Sequence, residues 1–203
     1  MPLSPTLSIF TAEGRPPWSM RPLLGRSGLE HFGLRMAAAA LLCFLSMSLD
    51  PPAIPVGNAA SFKFAVVAAQ FNGRLADGLL AAVVRELRKA GVKERNLTIV
   101  RVPGSNEVPY AIKLLAKRKL PDAAIALGVL IRGDTIHYEL IASAASDGLQ
   151  RVALETLVPV INGIIVAENA AQAEARCLGS VARGAEFART AIAMAALKRE
   201  LSR

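Results

Sequence analysis

The stretch Ala123-Ala-Ile-Ala-Leu-Gly-Val-Leu-Ile131 runs directly into Arg132-Gly133-Asp134-Thr135-Ile136-His137-Tyr138. An unbroken run of aliphatic and small residues predicts a strand buried on both faces, as in a parallel sheet. Arg132-Gly133-Asp134-Thr135 breaks the run, and apolar residues at helical spacing resume from Ile136 to Leu149. The segment therefore reads as a strand–turn–helix junction. In open α/β sheets ligands bind beyond the carboxyl ends of the strands, where helix N-termini present free amides. His137, one of two histidines in the chain, falls in the first turn of such a helix, where an imidazole can move protons near neutral pH. A lone histidine more often only caps or packs, so its neighbours decide the matter.

Outward from this junction the same alternation repeats. Phe62–Ala69 predicts a buried strand, and Leu75–Ala90 carries apolar residues at helical spacing with Gly91 as its stop. Leu97–Val102 predicts a second strand, ended by Pro103-Gly104, and Glu107–Lys119 a second helix that tolerates Pro109 in its first turn. After the third strand and its helix, Val158–Val166 predicts a fourth strand, with short helices over Ala170–Leu178 and Glu186–Leu201. Strands alternating with helices imply right-handed βαβ units. The expected fold is an α/β three-layer sandwich: a four-stranded parallel sheet, flavodoxin-like, with helices on both faces.

The composition agrees. The 203 residues are 53% hydrophobic and 20% charged, which excludes a disordered chain, and only 5% aromatic, which suits aliphatic helix–sheet packing. Cys43 and Cys177 stand far apart with no CxxC spacing, which argues against a zinc site or a disulfide framework and fits a reducing compartment. The formal charge of +8 invites a nucleic-acid reading. Residues 61–203 hold 20 Lys/Arg and 13 Asp/Glu, a net of +7, mostly interspersed. The exception, Lys117-Arg118-Lys119, ends a predicted helix, where cations favour the dipole, and has no interleaved aromatics on which bases would stack. Neither a nucleic-acid nor a membrane partner is expected; anionic small molecules, phosphates especially, match the charge better.

Residues 1–60 differ in character. They hold eight of the prolines and an apolar run from Met36 to Leu49 behind Arg15, Arg21, Arg26 and Arg35. That run is too short to span a bilayer comfortably. Two readings stay open: an over-extended gene start, with Met36 or Met47 as alternative initiators, or a targeting segment. The expected division is an N-terminal extension over 1–60, poorly ordered, and one domain over 61–203. A cytoplasmic location follows, or a plastid or other compartment if the extension is a true targeting segment.

If the sheet is parallel, one edge collects Gln70-Phe71-Asn72-Gly73, Pro103-Gly104-Ser105-Asn106-Glu107, Arg132–His137 and Glu168-Asn169. It gathers an aromatic ring, a carboxylate, an imidazole and free amides. Gly133, Asp134 and Thr135 entering a helix make an anion seat. Taken singly, Asp134 or Thr135 is explained as an N-cap, Glu107 as a first-turn acid and Phe71 as core.

Several motifs in this order and spacing are identified with one family. They are Phe71-Asn72; Val102-Pro103-Gly104-x-x-Glu107-Val108-Pro109; Leu127-Gly128-x-x-Ile131-Arg132-Gly133-x-Thr135-x-His137-Tyr138; Val158-Pro159-Val160-Ile161-x-Gly163; and Glu168-Asn169-x-x-Gln172-Ala173. Over about residues 62–200 the chain resembles the 6,7-dimethyl-8-ribityllumazine synthases of riboflavin biosynthesis. The resemblance implies the penultimate step of that pathway. There, 5-amino-6-(D-ribitylamino)uracil condenses with 3,4-dihydroxy-2-butanone 4-phosphate to the lumazine, releasing phosphate and water.

By the match, Phe71 stacks on the pyrimidine, with Asn72 beside it. Ser105, Asn106 and Glu107 contact the pyrimidine and ribityl chain, and Val129, Leu130 and Ile131 line the same pocket. Gly133, Asp134, Thr135 and Arg176 hold the phosphate, and His137 transfers protons. The resemblance further implies a homopentamer, in some members a 60-subunit icosahedral shell. Sites are then shared between subunits, with Asn162 and Arg176 donated by a neighbour, and riboflavin synthase is a candidate partner. Imine formation, phosphate elimination and ring closure need proton shuttling and proximity, so no metal and no organic cofactor is expected.

The chain departs from the family at Asn106 and Asn162, where aromatic residues are common. The loop from Cys177 to Gly184 is about one residue shorter than in members with a lysine before the glycine; Arg183 stands near that lysine's place as a weaker phosphate candidate. The more polar pocket leaves a second reading open, a catalytically reduced relative that binds flavins or lumazines.

Overall fold

The structure, a computed structural model, describes residues 57–119, 121–179, 181 and 183–202. The expectation for the N-terminal extension falls on residues 1–56, outside the described residues, apart from its last four positions. The elements run β1 (Phe64–Ala69), α1 (Gly73–Lys89), β2 (Leu97–Val102), α2 (Val108–Lys119), β3 (Ala123–Ile131), α3 (His137–Thr156), β4 (Val160–Ala167), α4 (Ala170–Cys177) and α5 (Gly184–Leu201). Single 3-10 turns, Glu94–Asn96 and Ser105–Glu107, precede β2 and α2.

The four strands are parallel and lie in the order β2-β1-β3-β4. The unbroken apolar run of β3 is explained by its central place, paired on both sides and covered on both faces. Strand alternation sorts the core into two layers. Phe64, Val66 and Ala68 of β1 pack with Ile125 and Leu127 of β3 against Leu79 and Val83 of α1 and Ala188 and Ile192 of α5. Ala65, Val67 and Ala69 face the other way, onto Ile112 of α2 and Leu149 and Val152 of α3. A buried Leu, Ile or Val contributes roughly 1.5–3 kcal/mol, so both helix layers are held by many such terms. The three-layer α/β expectation is met.

Boundaries moved for local reasons. β1 begins at Phe64 rather than Phe62, because Lys63 donates its amide to the Asp122 carboxylate at 2.7 Å, outside the ladder. Glu107 closes a 3-10 turn instead of opening α2, which starts at Val108. α3 continues past Leu149 to Thr156, since Val152 extends its buried stripe by one turn. It stops where Leu157 turns left-handed (φ 53) ahead of Val158-Pro159. α1 ends as expected: Gly91, at φ 91, donates to Arg88 O at 2.9 Å while Val92 N reaches Leu87 O.

Candidate active site

The strand order reverses between β1 and β3: β1 leads outward to β2, and β3 outward to β4. A crevice opens at this switch point, beyond the carboxyl ends of the strands. The segments after β1, β2 and β3 and the start of α3 surround a cavity of about 490 Å³. Its walls carry Phe71 and Asn72; Ser105, Asn106 and Glu107; Val129, Leu130 and Ile131; and His137. His137 and the ring of Phe71, both read from sequence, thus meet at one cavity.

Each wall is held in a specific way. Phe71 is 73% exposed, while its amide donates to Pro103 O at 3.2 Å. Asn72 is left-handed (φ 54), and its side-chain amide donates to Val129 O at 2.9 Å, pinning the loop to β3. Glu107 accepts from the Gly104 amide at 2.8 Å and so braces the Pro103–Glu107 turn. Ser105 is buried against β3, and among the described residues its hydroxyl has no hydrogen-bond partner. The turn sits that deep because residue 128 is glycine: a Cβ there would lie 2.4 Å from Ser105 Oγ.

Gly133, Asp134 and Thr135 form an exposed turn directly before His137 but do not line the cavity itself. Neither Asp134 nor Thr135 is the N-cap of α3. That position is Ile136, which has no side-chain cap bond; Glu139 N and Leu140 N donate to Ile136 O at 3.1 and 3.2 Å, and among the described residues the amides of His137 and Tyr138 have no backbone partner. Arg132 pairs with Glu168 at 2.8 Å and joins the ends of β3 and β4. Its pKa is raised, first by that hydrogen bond and then by the neighbouring Tyr138. The Tyr138 hydroxyl donates to Glu139 at 2.9 Å; that bond and burial raise its pKa, so the phenol beside His137 stays protonated.

Other expected residues lie elsewhere in the same chain. Asn162, on the edge strand β4, donates to Ser146 Oγ at 3.0 Å and accepts from Ile164 N at 3.1 Å. Arg176, in the last turn of α4, folds back to Gln172 O at 3.2 Å. Neither reaches the cavity. Arg183 pairs with Glu186 at 3.0 Å at the start of α5. The motif Glu168-Asn169-x-x-Gln172 is a helix start: Asn169 accepts from Gln172 N at 2.9 Å, and Gln172 Oε1 from Glu168 N at 3.1 Å.

Tyr138 and Ile141 line the cavity without having been anticipated as site residues. Ile141 was legible, because it follows His137 by four positions and so shares its helix face. Among the described residues, no group of three or more His, Cys, Asp or Glu could hold a metal ion, and no helix is long and apolar enough to cross a membrane.

A doubly wound parallel sheet with an aromatic ring, an imidazole and uncapped helix amides around its switch-point crevice defines a flavodoxin-like α/β protein built for a small ligand. Residues 61–199 match the family described as 6,7-dimethyl-8-ribityllumazine synthase. Relatives of that name include those of Paracidovorax citrulli, 45% identical over 137 residues (68% of this chain and 87% of the relative), and of Nitrosospira multiformis, 41% identical over 144 residues (71% and 88%). That of Stenotrophomonas maltophilia is 41% identical over 142 residues (70% and 92%). The chain belongs to the 6,7-dimethyl-8-ribityllumazine synthase family, transferases of riboflavin biosynthesis.

Proposed function

We propose that the switch-point cavity is where 5-amino-6-(D-ribitylamino)uracil condenses with 3,4-dihydroxy-2-butanone 4-phosphate. The observation that carries this reading is the meeting of Phe71 and His137 at one cavity beside the uncapped start of α3. The exposed ring of Phe71 offers the flat heterocycle a stacking face. Asn72, Ser105, Asn106 and Glu107 line the side where the pyrimidine and its ribityl chain lie, and Val129, Leu130 and Ile131 exclude water beneath them. The phosphate sits at Gly133, Asp134 and Thr135, against the open amides of α3. His137 relays protons through imine formation, phosphate departure and ring closure. Formation of the lumazine, followed by its absorbance after full-length protein meets both substrates, tests this. Riboflavin binding without turnover would instead favour the catalytically reduced relative, for which the polar Asn106 speaks.

The site is completed by a second copy of the chain. Supporting this, Arg176 and Asn162 stand away from the cavity of their own chain, and Tyr110, Leu140, Leu154 and Leu157 leave large apolar side chains exposed. A ring of five subunits, with neighbours lending Asn162 and Arg176, reconciles both facts; a 60-subunit shell and docking of riboflavin synthase are its extensions. Sedimentation of the purified protein distinguishes monomer, pentamer and shell. The family match beginning at residue 61 supports an activity carried by residues 61–203, with 1–60 as an extension. A cytoplasmic location accords with the bacterial relatives.

A further inference from the structure

We propose that Arg101 is a positioning residue for the pyrimidine side of the cavity, acting through the main chain that carries Phe71; the inference rests on reading Phe71 as the stacking face. β1 leaves the sheet asymmetrically. Its pairing with β2 runs to Ala69↔Val102, and Gln70 N continues to Val102 O at 2.8 Å, whereas its pairing with β3 ends at Ala68↔Leu127. The crevice opens on the β3 side. There the Ala69 carbonyl, one residue past the last β1–β3 pair, accepts from Arg101 Nη2 at 3.2 Å. The other arm of the guanidinium, Nη1, holds Asp77 of α1 at 2.6 Å.

One planar group therefore ties β2, the end of β1 and the first turns of α1 together, bracketing Gln70, Phe71 and Asn72. Asn72, bonded to Val129 O, anchors the far side. A guanidinium suits this place because its fixed fork serves two acceptors at once, which a lysine ammonium on a flexible stem does not. The Arg101–Asp77 pair is partly solvent-exposed, with side-chain exposures of 28% and 64%, and such pairs add little to global stability. What the clamp sets is the direction in which the exposed Phe71 ring is presented, an ordering cost the ligand would otherwise bear on binding.

The test uses the full chain and its Arg101→Met, Arg101→Lys, Asp77→Asn and Phe71→Ala variants. Equilibrium binding of the ribitylaminouracil substrate, KM for each substrate and thermal midpoints are measured. Arg101→Met should raise Kd and KM for the pyrimidine substrate about tenfold, the loss of one charge-assisted hydrogen bond. KM for the phosphate substrate and the thermal midpoint should hold, and Arg101→Lys should recover part of the loss. A wild-type pyrimidine Kd in Arg101→Met overturns the proposal, as does an equal loss for both substrates with a lowered midpoint. Phe71→Ala locates the failure: if it weakens the pyrimidine while Arg101→Met does not, the clamp alone is wrong. If neither does, the stacking role of Phe71 falls with it.

Discussion

The side-chain amide of Asn72 donates to the carbonyl of Val129 at 2.9 Å, from a residue whose backbone is left-handed (φ 54). This one bond closes the crevice between β1 and β3 at its floor and fixes where the chain turns into α1. Asparagine is among the few residues with a side chain that accept this conformation. Asn72→Ala should destabilise by about 1–2 kcal/mol, combining backbone strain with a lost hydrogen bond. Asn72→Gly should lose only the hydrogen-bond part. Equal losses in urea unfolding would show that the backbone conformation contributes nothing.

Gly128 and Ser105 form a second interlocked pair. Gly128→Ala would place a Cβ 2.4 Å from Ser105 Oγ, and the overpacking should cost about 1–3 kcal/mol. Adding Ser105→Ala removes that oxygen and leaves Ser105 Cβ at 3.3 Å, so the double variant should regain much of the loss. Ser105→Ala alone removes a buried hydroxyl that has no partner among the described residues and should leave stability unchanged or slightly raised. A double-mutant cycle by chemical denaturation reads both effects; simple additivity would refute the contact.

His137→Ala should lower kcat by about 10²–10⁴-fold, the usual worth of a general acid–base group. The residue is exposed and its side chain makes no hydrogen bond to the described residues, so sedimentation and thermal midpoint should match wild type. Full activity in this variant would remove the imidazole from the mechanism.

Cys177, the buried last residue of α4, has its thiol pushed up from 9.0 to about 11, chiefly by burial and against the opposing effect of Arg176. The folded state therefore holds its proton at pH values where the unfolded chain releases it. Its stabilising contribution is complete below pH 9 and declines as pH rises towards 11. The ceiling on that decline is about 2.7 kcal/mol. Because other groups titrate in the same range, the measured quantity is the stability difference between wild type and Cys177→Ala. That difference should shrink across the window; a flat difference would show that the thiol does not ionise differently on unfolding.

Much of the fold was legible because burial leaves periodic traces. The apolar run of β3 marks a central strand, Gly91 marks the end of α1, and each helix follows its strand. Element ends were less legible where a tertiary bond decides them: Asp122 capturing Lys63 N trims β1, and Val152 finding the core prolongs α3. At the site, residue types announced themselves, but their tasks did not. Glu107 and Asn72 were read as ligand contacts, and each also serves as a brace for the main chain. The Glu168-Asn169-x-x-Gln172 motif became a helix start. Tyr138 and Arg101 carried no separate signal, since only folding brings them beside the cavity or its loop.

Hydrophobic period and motif spacing are local properties of the chain, and they carry the α/β alternation, the family and the residue types that converge on one sheet edge. Tertiary structure alone decided that the crevice opens between β1 and β3, because strand order is settled by which crossovers pack, not by any one segment. It also decided which polar groups spend their hydrogen bonds on the fold, as Asn72 and Asn162 do, and which have no partner among the described residues, as the Ser105 hydroxyl does. That sorting depends on distances across the chain. No spacing along it encodes them.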